Sequence, residues 1–282
     1  MIDLRYHVFS LVAVLLALGI GILLGTTLVE RGLIAEQKYQ IESLKKTFEE
    51  IKAKNEELHG DLKFYEDFAS QARPYLIAGH LAGRSVAILS RPGVSGEGLG
   101  SITEAVSSAG GSVPLTVEIA GPEAYKSPAV AAALAGLFQM PAEEEALRAR
   151  VISEVANQVV TASNPAILTE MNRLGVIRMS GVLPGPLSGA VLFSEDEKAG
   201  PEIEQTDEPL IAAFVAAGFP LVGVGDAATD ARVLDAYKSA GISTVERIDT
   251  APGQVAIVMS LEGRGGNYGS SEGRLIPEPS GG

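Results

Sequence analysis

The apolar positions change their spacing along the chain, and the first pattern is a continuous apolar run. From Val8 to Val29 there are 22 residues without a charge, between His7 and Glu30. At 1.5 Å per residue, a helix of this length crosses the roughly 30 Å hydrocarbon core of a bilayer. A cleavable signal peptide is the alternative, but it would have a shorter apolar core and a small-residue cleavage site. The pattern predicts an uncleaved transmembrane anchor over residues 1–30.

Small residues recur at every fourth position of this run. They are Ala13, Ala17, Gly21 and Gly25. In a helix they share one face and let a second backbone approach closely, so they are candidate oligomer-interface residues. The general abundance of glycine in membrane helices is the alternative explanation.

A seven-residue repeat follows over residues 31–76. With Ile34 as position a, the a and d positions are mostly apolar through nearly six heptads, which is typical of a coiled-coil stalk. A polar residue at an a position, here Asn55, fixes the register and favours a parallel dimer. An amphipathic helix that packs on the chain's own globular domain is the alternative. The predicted interface residues are Ile34, Ile41, Leu44, Phe48, Ile51, Asn55, Leu58 and Leu62.

Residues 77–262 combine short β-rich runs with helical stretches. Strands are predicted at 85–90, 113–120, 189–195, 220–226 and 242–249, and helices at 101–109, 142–160, 164–174, 207–218, 228–240 and 251–261. Strands that alternate with helices predict right-handed crossovers and a doubly wound, mostly parallel α/β domain. Arg73-Pro74 predicts the end of the stalk helix. The Gly/Ser/Pro-rich residues 263–282 predict a flexible tail.

Composition restricts the chemistry that this domain can perform. The formal net charge of −13 disfavours nucleic-acid binding, and the absence of cysteine excludes thiolate metal sites and cysteine nucleophiles. The part of the domain from residue 84 onward contains no histidine, which removes the usual general base from it. We therefore expect no enzymatic activity, no cofactor and no metal site.

A ligand crevice is nevertheless conceivable where the predicted parallel strands end, because ligands collect there in doubly wound sheets. Ser90, Glu118, Glu195 and Asp226 stand at these positions. The loop 91–101 reads G-x-G-x-G and lacks both the G-x-G-x-x-G and the G-K-[ST] patterns, so nucleotide binding is a minor alternative to a simple flexible turn. The acidic stretch 195–208 holds seven carboxylates, which could hold a hard cation such as calcium. It lacks the D-x-[DN]-x-[DN]-G spacing, however, and we expect it to be a solvated loop.

The opening MIDLRYHVFSLVAVLLALGIGILLG, the stalk behind it and the late stretch IDTAPGQVAIVMSLEG…NYGSSEG resemble the MctB family of actinobacterial and clostridial envelope proteins. Members are usually called copper transport proteins, and related SteB-type members are linked to cell separation. The resemblance implies a role in copper efflux or homeostasis and a C-terminal domain outside the cytoplasm. The single Arg5 before the span and the several basic residues after it favour the opposite orientation.

The copper assignment conflicts with the available ligands, because copper prefers thiolate, thioether and imidazole groups. The chain has no cysteine, its methionines form no close-spaced motif, and His7, His59 and His80 are far apart in sequence. The residues thus predict weak or no copper binding, and an effect on copper through assembly with other proteins. The alternative function is a dimeric, membrane-tethered scaffold that regulates cell-wall hydrolysis or cell separation through an envelope partner.

Overall fold

The computed structural model describes residues 4–196 and 198–277, without the side chains of residues 4 and 26–36. Ile34 of the predicted interface therefore lies outside the described side chains, and residues 278–282 of the predicted tail lie outside the described residues. The chain divides into two compact units, Met1–Tyr65 and Glu66–Gly282, and each is described by itself.

One long helix, α1 (Leu4–Ile77), contains the predicted anchor and stalk. Its segment Arg5–Gly25 is a candidate membrane span by length and composition. The predicted helix end at Arg73-Pro74 is wrong by one turn, because Pro74 lies inside the helix. The missing N–H of a proline removes one helical hydrogen bond, and the fully buried side chains of Ile77 and Leu81 anchor the chain beyond it.

The second unit is built around a seven-stranded sheet with the strand order β3-β2-β1-β4-β5-β6-β7. All neighbouring strands are parallel except the pair β2 and β3, which is antiparallel. The strands are β1 (Ser85–Ser90), β2 (Ser112–Ile119), β3 (Ile177–Gly181), β4 (Gly189–Ser194), β5 (Leu221–Gly225), β6 (Ser243–Val245) and β7 (Asn267–Tyr268).

Helices cover both faces of the sheet. They are α2 (Gly96–Ser108), α3 (Pro128–Phe138), α4 (Glu144–Thr161), α5 (Ala166–Arg173), α6 (Glu208–Ala216), α7 (Ala231–Ser239) and α8 (Ala251–Glu262), with a 3₁₀ turn at Pro122–Tyr125 and a π-turn at Ile203–Asp207. One buried core joins the sheet to α2 and α8, and the other joins it to α3 through α7. The predicted doubly wound, mostly parallel α/β fold is confirmed.

Sequence patterns missed two elements of this domain besides the short strand β7. The first is α3, whose sequence PAVAAALAGLF has no polar face and therefore no amphipathic period. The second is the antiparallel edge strand β3, which is only five residues long and exposes three of them.

The prediction of a flexible tail from residue 263 is wrong for residues 267–268. These residues form β7, which pairs with β6 and buries Tyr268. The hydroxyl of Tyr268 donates a hydrogen bond of 2.9 Å to the carbonyl of Arg264. A buried aromatic side chain thus holds a segment whose glycines and serines suggested flexibility.

Candidate functional site

The strand order reverses between β1 and β4, and this is the point where doubly wound sheets usually bind ligands. From β1 the chain continues into α2, whose buried side chains join the first core. From β4 it continues into the π-turn and α6, whose buried side chains join the second core. The loops that follow β1 and β4 therefore leave toward opposite faces and bound the candidate crevice.

A partly buried ion-pair cluster, the Arg91 cluster of Arg91, Asp196, Asp207 and Tyr237, occupies this position. Arg91 directly follows β1, and its guanidinium contacts Asp196, which follows β4. Its Nε also lies 3.2 Å from Oδ1 of Asp207, the last residue of the π-turn. Tyr237 of α7 completes the cluster by donating a hydrogen bond of 2.6 Å to Oδ2 of Asp207. One basic side chain from the loop after β1 and two acidic side chains from the connection after β4 thus neutralise most of one another's charge.

Burial sets the ionisation of the Arg91 cluster. The Asp207 side chain is fully buried, and this burial raises its pKa to about 6, although Arg91 and the Tyr237 hydroxyl both oppose the shift. Burial also raises the pKa of Tyr237 well above its ordinary value. Burial opposes the charge of Arg91, but Asp207, Tyr237 and Asp196 raise its pKa overall, so the guanidinium stays charged. Asp207 is the member that changes its charge in mildly acidic solution.

The predicted crevice residue Glu195 lies at the N-terminus of α2. Its carboxylate accepts a hydrogen bond of 2.5 Å from Ser95 Oγ and another from the Ser95 backbone N–H. Helix N-termini attract anions through their free N–H groups and the helix dipole. A carboxylate of the chain itself therefore occupies the position where a phosphate would bind.

One glycine of the loop 91–101, Gly98, is needed for close packing. Helix α2 begins at Gly96 rather than at the predicted residue 101, with Ser95 as its N-cap. A Cβ on Gly98 would overlap the Phe193 ring and lie 2.7 Å from Glu195 Oε1, whereas Gly96 and Gly100 have open space. Gly98 lets the first turn of α2 approach β4 closely.

The other predicted crevice residues have separate partners. Glu118 accepts a hydrogen bond of 2.5 Å from Arg178 on the unpredicted edge strand β3. Asp226 accepts hydrogen bonds from the backbone N–H groups of Ala228 (2.9 Å) and Thr229 (3.0 Å), which forms a local turn. Ser90 is buried, and its hydroxyl has no hydrogen-bond partner among the described residues. The structure places all four at the C-terminal end of the sheet without uniting them in one site.

The C-terminal segment covers the end of β6. Glu246, which follows β6, accepts hydrogen bonds from the hydroxyls of Ser270 (3.3 Å) and Ser271. A Cβ on Gly269 would overlap the end of the Glu246 side chain, so a larger residue here would displace that side chain. The family-like sequence NYGSSEG thus closes another part of the C-terminal end of the sheet.

Sequence reasoning missed most of the Arg91 cluster. Asp207 belongs to the acidic stretch 195–208, and the expectation that this whole stretch is solvated is wrong for Asp207 and for Thr206, which are both buried. Arg91 adjoins the predicted residue Ser90, and a lone basic residue at a strand end facing an acidic stretch was the available signal. Nothing in the sequence marks Tyr237 as their partner.

The described residues hold no group of three or more His, Cys, Asp or Glu side chains placed to bind a metal ion. His59 is exposed on α1, and His80 Nδ1 lies 3.0 Å from Glu262 Oε1. Neither the exposed His59 nor His80, which faces Glu262, belongs to such a group among the described residues.

The predicted interface residues of α1 are exposed. Ala13, Ala17, Gly21 and Gly25 lie on the candidate span, and no Cβ built on either glycine would meet another atom within 4 Å. The described members of the stalk set are also exposed, namely Ile41, Leu44, Phe48, Ile51, Asn55, Leu58 and Leu62. The structure describes one chain, so their pairing stays a prediction.

Comparison with known proteins gives one family and a consistent group of relatives. The sequence model of the family described as "Copper transport outer membrane protein, MctB" matches residues 1–277. Proteins named "Copper transporter MctB" from Mycobacterium bovis and from two strains of Mycobacterium tuberculosis are each 23% identical to the chain over 334 aligned residues. The alignments cover 98% of the chain and 98% of each relative. Because the family match runs through the candidate span, the stalk and the α/β domain, this chain belongs to the MctB family.

Proposed function

We propose that this protein is a membrane-anchored envelope protein that takes part in copper efflux or homeostasis together with other proteins, without a copper site of its own. The observation that carries the proposal is the family match over residues 1–277, which includes every part of the described architecture. The relatives that align over nearly their whole length are named copper transporters.

The ligand chemistry of this chain supports an indirect role. Copper binds most strongly to soft sulfur and imidazole ligands, and this chain has no cysteine and only three histidines. One of these, His80, faces the Glu262 carboxylate. Copper is therefore the cargo of an assembly to which this chain contributes anchoring and contacts.

The same proposal assigns no catalytic centre to the domain. At the C-terminal end of the sheet, Arg91, Glu195 and Asp226 already bind groups of the chain itself. A substrate would have to displace these internal contacts. We infer that the α/β domain serves as a recognition module rather than as an enzyme.

We further propose that the single span Arg5–Gly25 holds the protein in the cell membrane with the α/β domain on the extracytoplasmic side. An apolar helix of this length satisfies all its backbone groups within the bilayer, so one segment suffices as an anchor. Accessibility of an introduced cysteine in the domain to a membrane-impermeant maleimide in intact cells tests the orientation.

Cell-associated copper in a deletion strain, its parent and complemented strains tests the copper role. We expect the deletion strain to accumulate more copper than its parent in copper-supplemented medium, and the wild-type chain to restore the parental level. Equal copper in both strains would overturn the efflux proposal.

A histidine-free chain tests whether the role is indirect. The variant His7→Gln, His59→Gln, His80→Gln removes every imidazole, since the chain contains three histidines. We expect it to complement the deletion as well as the wild type, at equal protein abundance. Failure to complement would show that imidazole ligation by this chain is required, contrary to the proposal.

A second candidate is a scaffold that regulates cell-wall hydrolysis or cell separation through an envelope protein partner. The exposed apolar positions of α1 between residues 41 and 65 favour it, because such a face is typical of helix–helix contact. Normal copper together with chained or unseparated cells in the deletion strain would support this candidate over copper efflux.

A further inference from the structure

We propose that one face of α1, the stalk seam, is the interface with a second copy of this chain that runs parallel and in the same register. The stalk seam consists of Ile41, Leu44, Phe48, Ile51, Asn55, Leu58, Leu62 and Tyr65. The pairing requires no copper. An absence of dimers would therefore overturn this proposal without affecting the proposed copper role, and the reverse also holds.

The apolar members of the stalk seam are strongly exposed in the single chain. Each of them exposes between 54% and 71% of its surface. A helix of a soluble domain normally turns such a face toward a core, and scattered exposed leucines would not repeat at a and d positions. The face therefore needs a partner that extends along the helix.

The candidate span at the start of α1 makes a second copy the best occupant. Copies anchored through Arg5–Gly25 enter one membrane in the same direction, so their α1 helices run parallel. Confinement to one membrane also raises the effective concentration of each copy for the other. No soluble partner has this advantage.

Asn55 makes the pairing specific to one register. In a parallel, in-register pair, Asn55 of one copy faces Asn55 of the other, and the two amides can hydrogen-bond. A shift by one heptad would place the amide against Phe48 or Leu62 and bury it without a partner. A copy of the same chain in the same register therefore matches the stalk seam along its whole length.

The structure sets where the seam stops. The next a and d positions, Ala69 and Ala72, are half-buried, and the neighbouring Arg73 donates a hydrogen bond of 2.6 Å to Glu104 of α2. Arg73 also contacts Gln254 of α8. This turn of α1 is engaged by the chain's own domain, so the available seam ends at Tyr65. Residues 41–65 supply about three and a half heptads, or roughly 37 Å of helix, enough for a coiled coil.

The flanking charges add little to the pairing. Across a parallel dimer, position g of one helix faces position e of the following heptad on the other. These pairs are Gln40 with Lys45, Thr47 with Lys52, and Lys54 with His59, and none joins opposite charges. The association thus depends on the apolar seam and on membrane confinement, and we expect added salt not to weaken it.

The absence of cysteine from this chain allows a direct test. A single introduced cysteine is the only thiol, and a disulfide requires Cα atoms within about 7 Å. We choose Ile51→Cys and Leu58→Cys at d positions, with Ala53→Cys at the outward f position as the matched control. Ala72→Cys tests the end of the seam. All variants are made in the full-length protein and oxidised in native membranes.

We expect Ile51→Cys and Leu58→Cys to form a species of twice the 29.3 kDa chain mass at least about tenfold faster than Ala53→Cys or Ala72→Cys. Co-expressed, differently tagged Ile51→Cys and Leu58→Cys chains should form few mixed dimers, since that product requires a one-heptad shift. Equal crosslinking at residues 53 and 58, abundant mixed dimers, or a product containing a different protein would each overturn the proposal.

Discussion

Along the stalk seam, large apolar side chains lie exposed on a single helix, whereas at the C-terminal end of the sheet charged side chains are partly or fully buried and paired. Phe48 and Leu44 have no cover in the described chain, but Asp207 is fully buried beside Arg91 and Tyr237. The stalk seam therefore leaves apolar surface exposed to another molecule. The charged side chains at the end of the sheet instead contact groups of the chain itself.

The charged end of the sheet is also the place where a doubly wound domain usually binds its ligand. The point where the strand order reverses normally receives a ligand, because the loops separate there and leave a crevice. Here Arg91, in the loop after β1, contacts Asp196 in the loop after β4, and Glu195 accepts a hydrogen bond from Ser95 at the N-terminus of α2. The charged side chains at this point are therefore engaged within the chain itself, whereas the apolar positions of the stalk seam are exposed.

The largest predicted effect concerns the Arg91 cluster. Arg91→Met removes the cation that pairs with Asp196 and Asp207, and it leaves the buried Asp207 carboxylate without an ion pair among the described residues. We expect a loss of about 3 kcal/mol in the free energy of unfolding of the α/β domain, measured by chemical denaturation at pH 7.

Arg173→Met is the matched control for this substitution. Arg173 forms an exposed ion pair with Glu170 within one turn of α5, and such pairs contribute little. Equal stability of the two variants would mean that the ion pairs of the Arg91 cluster do not stabilise the domain. In that case its groups would be available to a ligand.

The pH dependence of stability is the next largest effect. Asp207 has a pKa of about 6 in the folded domain against an ordinary value of 3.8. Between these values the folded state binds more protons than the unfolded state, so stability falls as the pH rises from about 4 to about 6. We expect this group to remove about 2–3 kcal/mol across that window.

Asp207→Asn isolates this contribution. The difference in unfolding free energy between the wild type and Asp207→Asn should change across pH 4–6 and stay constant above about pH 7. Other carboxylates titrate in both proteins and cancel in the difference. A flat difference curve would show that Asp207 has an ordinary pKa and is therefore hydrated.

A smaller effect is expected where α2 approaches β4. Gly98→Ala places a methyl group against the Phe193 ring and Glu195, and we expect a loss of about 1–3 kcal/mol. Gly100→Ala lies in the same helix with open space around it, and we expect it to stabilise the domain by about 0.5–1 kcal/mol. Thermal unfolding of both variants measures the contrast, and equal effects would exclude close packing at Gly98.

The sequence predicted those regions whose apolar and polar positions form a clear pattern. The α1 helix and the parallel strands produce strong periodic or continuous apolar patterns, and their assignment to an α/β fold is confirmed. Helix α3 and strand β3 lack a repeating contrast between polar and apolar positions, and both were missed.

The Arg91 cluster could not be predicted for a different reason. Its residues 91, 196, 207 and 237 come from four separate segments, and their burial depends on how the loops after β1 and β4 fold together. Sequence correctly placed Ser90, Glu118, Glu195 and Asp226 at the ends of strands. It could not show that Arg178, Ser95 and a local turn would bind three of their side chains.

The smallest predicted effect on the stability of the domain comes from a substitution in the stalk seam. Asn55 is exposed on α1 and lies outside the unit that contains the α/β domain, so Asn55→Leu should leave the unfolding of that domain unchanged. In the paired stalk, the substitution replaces a polar a position with an apolar one. It should strengthen association while relaxing its register and number of copies.

Crosslinking through Leu58→Cys reads out both consequences in the Asn55→Leu background. We expect more crosslinked protein in total, together with mixed Ile51→Cys and Leu58→Cys dimers that the parent chain does not form. Unchanged crosslinking would mean that Asn55 does not lie within an interface. If domain stability changed instead, residue 55 would contact the chain's own domain, and the separation of the two regions into contact surface and support would fail.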